Sequence, residues 1–106
     1  MRLEGEIYRV ITREPLRVTV DFLPQSGIYA AHFPGHPITP GAVLVRMAAE
    51  MLSGARISGA RDIRFLSPVP PDATGVTFAF EPLGTEGWSV QISCGETVYA
   101  IMRLTV

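Results

Sequence analysis

The stretch from Gly41 to Leu52 restricts the possible folds of this 106-residue chain more than any other part of it. Its residues are almost all apolar, and Arg46 and Glu50 are the charged side chains within it. A helix on a protein surface shows a polar face of several residues, so this helix is expected to be enclosed on nearly all sides. In a chain this short, only a sheet that wraps around the helix can enclose it.

The expected ends of this helix follow from the residues that flank it. Thr39 is a good N-cap, Pro40 suits the first helical position, and Gly54 can end the helix. The helix would then contain about 15 residues and extend for roughly 22 Å. The preceding segment, residues 24–40, is rich in proline and contains both histidines. It is predicted to be a functional loop, neither strand nor helix.

Alternating hydrophobic residues in the rest of the chain predict the sheet. Leu16, Val18, Val20 and Phe22 alternate with polar residues, which is typical of a half-buried strand. An earlier strand is expected over residues 6–11, joined by a turn at residues 13–15, so that the chain opens with a hairpin. Four more strands are predicted after the helix, over residues 56–66, 75–81, 88–94 and 98–106. The predicted fold class is α+β: one domain, residues 1–106, with a curved antiparallel sheet of about six strands around one central apolar helix.

Composition and charge exclude several classes of function. Ten acidic and nine basic residues give a net charge of −1, which leaves little attraction for nucleic acid or an anionic membrane. All the basic residues are arginine, so lysine Schiff bases and a phosphate-loop lysine are excluded. Cys94 is the single cysteine and can form neither an intrachain disulfide nor a zinc site. With no signal-peptide or membrane-spanning pattern, a cytoplasmic protein is expected.

Residues 32–41, with the sequence HFPGHPITPG, carry a resemblance to a known family. Followed by an apolar helix, they closely resemble the active-site loop of the β-hydroxyacyl-acyl-carrier-protein dehydratases, which have the hotdog fold. A weaker resemblance covers residues 64–72, RFLSPVPPD, where Pro71 stands in the place of the usual glycine. The order of the predicted elements agrees with that family over essentially the whole chain.

The resemblance implies a reaction and a partner. Members of the family remove water from a 3-hydroxyacyl thioester to give the trans-2-enoyl product. Their substrate is attached to acyl carrier protein through phosphopantetheine, and no metal or other cofactor is implied. By resemblance, His32 is the catalytic base and Gly41 lends its backbone N–H to the thioester carbonyl. Gly41 has the alternative role of allowing close packing.

The same loop provides the residues that the resemblance places around the substrate. These are Phe33, Pro34, Gly35 and Pro40, and Phe33 would also limit the hydration of the neighbouring base. A histidine outside such a motif more often caps a turn, but this motif favours the catalytic role. His36 lies in a proline-broken loop, so no helical two-histidine metal site is predicted, and His36 is expected to be non-catalytic.

The acid of the reaction is where this sequence departs from the family. The family has Glu or Asp fourteen residues after the histidine, and here that residue is Arg46, whose guanidinium is a poor proton donor. Glu50 lies one turn further along the helix and is the candidate replacement. The alternative, which the cost of burying lone charges favours, is that Arg46 and Glu50 form an ion pair.

Three functions remain open from the sequence. The first is a dehydratase (or, in reverse, a hydratase) in fatty-acid-like or specialised polyketide or polyene synthesis, assembled as a homodimer or larger even oligomer. The second is a non-catalytic hotdog subunit that forms a heteromer with an active paralogue, for which Arg46 is the best argument. The third is a thioesterase or coenzyme A binding protein. It ranks last, because the start of the helix offers only Thr39 and Gly41 and no carboxylate.

Overall fold

The computed structural model describes residues 2–31, 35, 37–52 and 56–106. In this part of the chain, six strands and two helices follow one another in the order β1 (Tyr8–Glu14), β2 (Arg17–Phe22), α1 (Ile28–Ala31), α2 (Gly41–Met51), β3 (Gly59–Phe65), β4 (Val76–Pro82), β5 (Gly87–Cys94) and β6 (Thr97–Thr105). The predictions made for His32, Phe33, Pro34, His36 and Gly54 fall outside the described residues.

The strands form one antiparallel sheet in the order β1-β2-β4-β5-β6-β3. The predicted opening hairpin is confirmed, since Glu14 pairs with Arg17 across a two-residue turn. After α2 the chain crosses to the far edge of the sheet, where β3 pairs with β6. The predicted antiparallel sheet of about six strands is therefore confirmed. β1 and β3 are its two edges.

The core contains the hydrophobic residues that the strand periodicity predicts. Val18, Val20 and Phe22 of β2 are buried, whereas Leu16 precedes the strand and is 46% exposed. Val76, Phe78 and Phe80 alternate in the same way along β4 and are buried. Apolar side chains thus cover one face of these strands, and α2 contributes to the same core.

Helix α2 contacts that core through a buried stripe and through partly buried residues beside it. Its buried residues are Leu44, Met47, Ala48 and Met51, with the spacing of adjacent helical turns. On the remaining surface Ala42 and Arg46 are exposed. Val43, Val45 and Ala49 are partly buried and pack against the core. The expected enclosure of the helix is therefore only partial in the single chain.

The segment before α2 differs in two ways from the prediction. The helix begins at Gly41, its N-cap is Pro40 in an extended conformation, and no side chain caps it. Thr39 was expected to be that N-cap, but its hydroxyl binds the hydroxyl of Tyr29. Residues 24–40 also contain the short helix α1, where only a loop was expected. A single helical turn is too short for hydrophobic periodicity to reveal it.

Candidate functional site

The start of helix α2 borders an apolar pocket of about 500 Å³. Two segments form its walls: residues 38–41 with Leu44 on one side, and residues 65–69, which follow β3, on the other. The first N–H groups of a helix have no acceptor within the helix, and the helix dipole favours negative charge there. The pocket therefore combines an apolar wall with backbone donors suited to an oxygen that gains negative charge.

Gly41 packs directly against the aromatic ring of Phe65. A Cβ atom at position 41 would overlap Cζ of that ring and lie 2.7 Å from its Cε2. A residue with a side chain at position 41 would require the half-exposed ring of Phe65 to move. This packing supports the second of the two roles that the sequence left open for Gly41. The two roles are compatible, because close packing of the ring against Gly41 involves the absence of a side chain and not the backbone N–H group.

Two other residues of the predicted site are described in the structure. Pro40 lines the pocket beside Gly41. Gly35 is exposed and has a φ of 89°, a left-handed conformation that side chains rarely adopt. Arg46 is exposed and lies five residues beyond Gly41, which is about 7.5 Å along the helix axis.

Glu50 fastens the N-terminal segment to helix α2. Its carboxylate oxygens accept hydrogen bonds from the backbone N–H of Leu3 at 2.8 Å and of Glu4 at 2.9 Å, and from the hydroxyl of Tyr8 at 2.8 Å. Leu3 and Tyr8 are buried in the core. An ion pair with Arg46 was the contact expected for Glu50, and these three hydrogen bonds were not expected.

These contacts favour the charged form of the Glu50 carboxyl. Desolvation by burial raises the pKa of its carboxyl, but the hydrogen bonds from Leu3, Glu4 and Tyr8 outweigh it, so that the pKa lies below its ordinary value. Burial and the neighbouring carboxylate raise the pKa of Tyr8, which stays protonated. Glu50 also lies nine residues from Gly41, about 14 Å along the helix axis. Its position favours anchoring of the N-terminal segment over acid catalysis.

Replacement of Glu50 by glutamine should destabilise the protein at neutral pH by about 1 to 3 kcal/mol, because a neutral amide accepts these hydrogen bonds less strongly. A depressed pKa in the folded state stabilises above the unfolded pKa, and that stabilisation is lost as the pH falls through the folded value. Urea denaturation should therefore show a smaller difference between the two proteins under acid conditions than at pH 7. Glu96→Gln, at an exposed position, is the matched control.

This substitution also separates the two roles of Glu50. If Glu50 only anchors the N-terminal segment, the Glu50→Gln variant should retain the turnover of the wild type per folded molecule. A decrease in kcat of about 10²-fold or more at unchanged stability would instead identify Glu50 as the acid of the reaction.

Phe65 and Leu66 are pocket residues to which the sequence assigned no role, although both lie in the segment 64–72 that resembles the family. Both line the pocket and both are 54% exposed. Neighbouring residues of a strand point to opposite faces, so two large apolar residues in succession cannot both enter one core. Their succession at the end of β3 was the signal available in the sequence.

Neither a metal-binding cluster nor a membrane-spanning helix occurs in the described ranges. In residues 2–31, 35, 37–52 and 56–106, no three side chains of His, Cys, Asp or Glu are grouped to hold a metal ion. The helices within these same ranges are too short or too polar to cross a membrane.

Solved structures with the same arrangement of strands and helices show the fold. The dehydratase heterocomplex ApeI:P from Xenorhabdus doucetiae matches with a TM-score of 0.70 and 15% identity, covering 92% of this chain and 96% of that one. A mutant thioesterase from Pseudomonas aeruginosa matches with a TM-score of 0.59 and 17% identity, over 92% and 78% of the two chains. The phenylacetic acid degradation protein PaaI from Thermus thermophilus, as a mutant, matches with a TM-score of 0.56 and 16% identity, over 97% and 94%. The shared fold is the hotdog fold.

The sequence itself identifies the family. The family model of the ApeI-like proteins, described as ApeI dehydratase, matches residues 9–92. The chain belongs to the ApeI-like dehydratase family. Among curated proteins, none matches the sequence significantly. Family and fold together identify a hotdog protein of a dehydratase family.

Proposed function

We propose that this protein catalyses the dehydration of a 3-hydroxyacyl thioester, or the reverse hydration of the trans-2-enoyl thioester, with the acyl chain carried by acyl carrier protein. The observation that carries the proposal is the apolar pocket at the start of α2, directly after the HFPGHPITPG segment. An acyl thioester is an apolar chain ending in one polar carbonyl. The pocket offers an apolar wall that ends at backbone donors, which matches that chemistry.

The proposed reaction assigns one task to each group. His32 removes the proton from the carbon beside the carbonyl, while the N–H of Gly41 stabilises the negative charge that develops on the carbonyl oxygen. The double bond forms as the bond from the third carbon to its hydroxyl breaks, and hydroxide leaves as water after gaining a proton. With Glu50 bound to the N-terminal segment, the imidazolium of His32 is the group in the proposed site that can return this proton. Arg46 is assigned a hydrogen bond to the departing hydroxyl, and Phe33, Pro34, Gly35 and Pro40 are assigned contacts with the substrate.

The experiment that tests this function is the hydration of an enoyl thioester by the purified protein. Addition of water removes the conjugated double bond, so the absorbance of the enoyl thioester should fall. Carrier-protein and coenzyme A thioesters of the same acyl chain should be compared, and the carrier-protein substrate is expected to react faster. Hydrolysis to the free acid without hydration would support the thioesterase function instead.

A non-catalytic role as a partner subunit is the second candidate. Two observations favour it: Arg46 replaces the usual acid, and the ApeI protein of the structure described above occurs in a heterocomplex. In this role the chain would complete the assembly of an active paralogue without turning over substrate itself.

Either function requires a second hotdog chain, and the edge strand β3 is the proposed contact. Its residues are largely exposed, including Ile63 at 38% and Phe65 at 54%. An exposed, partly apolar edge strand favours pairing with another strand. β3 and the pocket are adjacent, because Phe65 belongs to both. A partner chain at this edge would therefore lie beside the pocket.

Light scattering should give the wild type at least twice the single-chain mass of 11.5 kDa at micromolar concentration. Ile63→Asp should decrease the mass to that of one chain, because it places a charge in the proposed contact. Ile11→Asp is the matched control: Ile11 is 49% exposed on β1, at the opposite edge, and its replacement should leave the mass unchanged. A single-chain mass for the wild type would contradict the homo-oligomer.

A further inference from the structure

A hydrogen bond between two buried hydroxyl groups lies beside the start of helix α2. Oη of Tyr29 and Oγ1 of Thr39 are 2.8 Å apart, and the two residues are only 6% and 4% exposed. If tyrosine is counted with the hydrophobic residues, Thr39 is the one polar residue that is buried among the described residues. Burial raises the pKa of Tyr29, so its hydroxyl stays protonated at neutral pH.

This hydrogen bond joins the two ends of the segment that contains His32. Tyr29 belongs to α1, which ends at Ala31, and Thr39 stands two residues before the first residue of α2. The backbone N–H of Thr39 also donates to the carbonyl of Val69 at 2.9 Å, and Val69 is buried. Thr39 is therefore held from two sides, by α1 and by the segment that follows β3.

Stability alone does not require a polar pair at this place. When both partners of a buried hydrogen bond are replaced by apolar groups of the same shape, the effect on stability is often nearly neutral. A hydrogen bond differs from apolar contact in its direction, because donor and acceptor must keep one distance and one angle. The Tyr29–Thr39 bond is suited to hold two segments in one relative position.

We propose that Tyr29 and Thr39 are positioning residues: their hydrogen bond fixes α1, which ends one residue before His32 in the sequence, relative to the start of α2 with the N–H of Gly41. This inference rests on the proposed function, in which His32 and Gly41 act on the same substrate. A base and a carbonyl donor must be aligned on one molecule, and a misplacement of about 1 Å can cost on the order of 10²-fold in rate. Tyr29 does not line the pocket, so it acts through the placement of α1 and Thr39 rather than on the substrate.

The direct test is Tyr29→Phe, which removes one oxygen atom and keeps the ring. It should lower kcat by about tenfold or more and change KM less than about threefold, because alignment changes while the pocket wall does not. Thr39→Ser keeps the hydroxyl and should retain kcat to within about threefold. The double variant Tyr29→Phe/Thr39→Val should have a kcat no lower than that of Tyr29→Phe, since the same single hydrogen bond is lost in the double and in the single variant.

A control separates this role from a general effect of losing a hydrogen bond between side chains. The hydroxyls of Thr19 and Thr77 are 3.3 Å apart between β2 and β4, away from the pocket. Thr19→Val should leave kcat and KM unchanged. An equal loss of kcat in Thr19→Val and Tyr29→Phe would overturn the positioning role.

A spectroscopic measurement distinguishes failure of this inference from failure of the proposed function. His32 and His36 are the two histidines of the chain, so its imidazole proton NMR signals are few and can be assigned with His36→Gln. Tyr29→Phe should shift the signal of His32, and Thr39→Ser and Thr19→Val should not. If Tyr29→Phe shifts the His32 signal but the wild type shows no hydration activity, the result would support the positioning role and contradict the proposed function. Unchanged signals and unchanged kcat in Tyr29→Phe would overturn the positioning itself.

Discussion

Replacing His32 with alanine should decrease the hydration of an enoyl thioester by at least 10²- to 10⁴-fold, the range expected for loss of a positioned base. Stability should hardly change, with a shift in Tm below about 4 °C, because the proposal gives His32 a chemical role and not a packing role. Turnover of wild type and variant at matched folded concentration, with Tm measured on the same samples, checks both expectations.

His36→Ala is the matched control for this prediction. It changes the other histidine of the same motif and should be mild, because the proposal gives His36 no part in proton transfer. Equal losses of activity from the two substitutions would contradict the assignment of the base to His32. A large loss of stability in His32→Ala would favour a structural role for that histidine.

The second large effect concerns Arg46, whose replacement separates an enzyme from a passive subunit. If the chain is active in its present form, Arg46→Glu should decrease turnover, since it removes the proposed hydrogen bond to the hydroxyl and places a second carboxylate one turn from Glu50. If the chain is a degenerate partner, the same change restores the acid of the family and should raise turnover by up to about 10²- to 10⁴-fold while His32 is present. The two functions predict opposite signs.

Arg46→Gln distinguishes the effect of adding a carboxylate at position 46 from the effect of removing the guanidinium. It removes the guanidinium without adding a carboxylate, so an active enzyme should lose turnover in both variants, whereas a degenerate partner should gain only with Arg46→Glu. Arg46 is exposed on α2, so neither change is expected to disturb the core. A wild type that is active and indifferent to both changes would contradict the place of Arg46 in the site. No activity in any variant would favour the subunit function.

Much of the sheet was predictable because its signal is local. Alternation along β2 and β4 placed Val18, Val20, Phe78 and Phe80 on the buried face, and the structure confirms them. The antiparallel direction of the strands agrees with the sheet expected from the pattern, whereas their order in the sheet had no prediction. The boundaries differ by up to three residues, because strand ends depend on the partner strand as well as on the residues themselves.

The site was only partly predictable, since its contacts join distant parts of the chain. The positions of Gly41 and Pro40 beside a pocket agree with the motif that precedes the helix. The ring of Phe65 against Gly41, and the hydroxyl of Tyr29 against Thr39, had no signal in the spacing of residues. Short-range periodicity carries no information on which side chains from separate segments meet.

The sequence by itself determined the alternating strands, the apolar character of α2 and the motif that resembles the dehydratase loop, because each depends on residues close together in the chain. Tertiary structure decided which groups the carboxylate of Glu50 contacts. It accepts hydrogen bonds from the backbone N–H groups of Leu3 and Glu4, which are 47 and 46 positions away, and neither contact was expected. Backbone N–H groups are present in every residue except proline, so no pattern of side chains reveals which of them a buried carboxylate will meet.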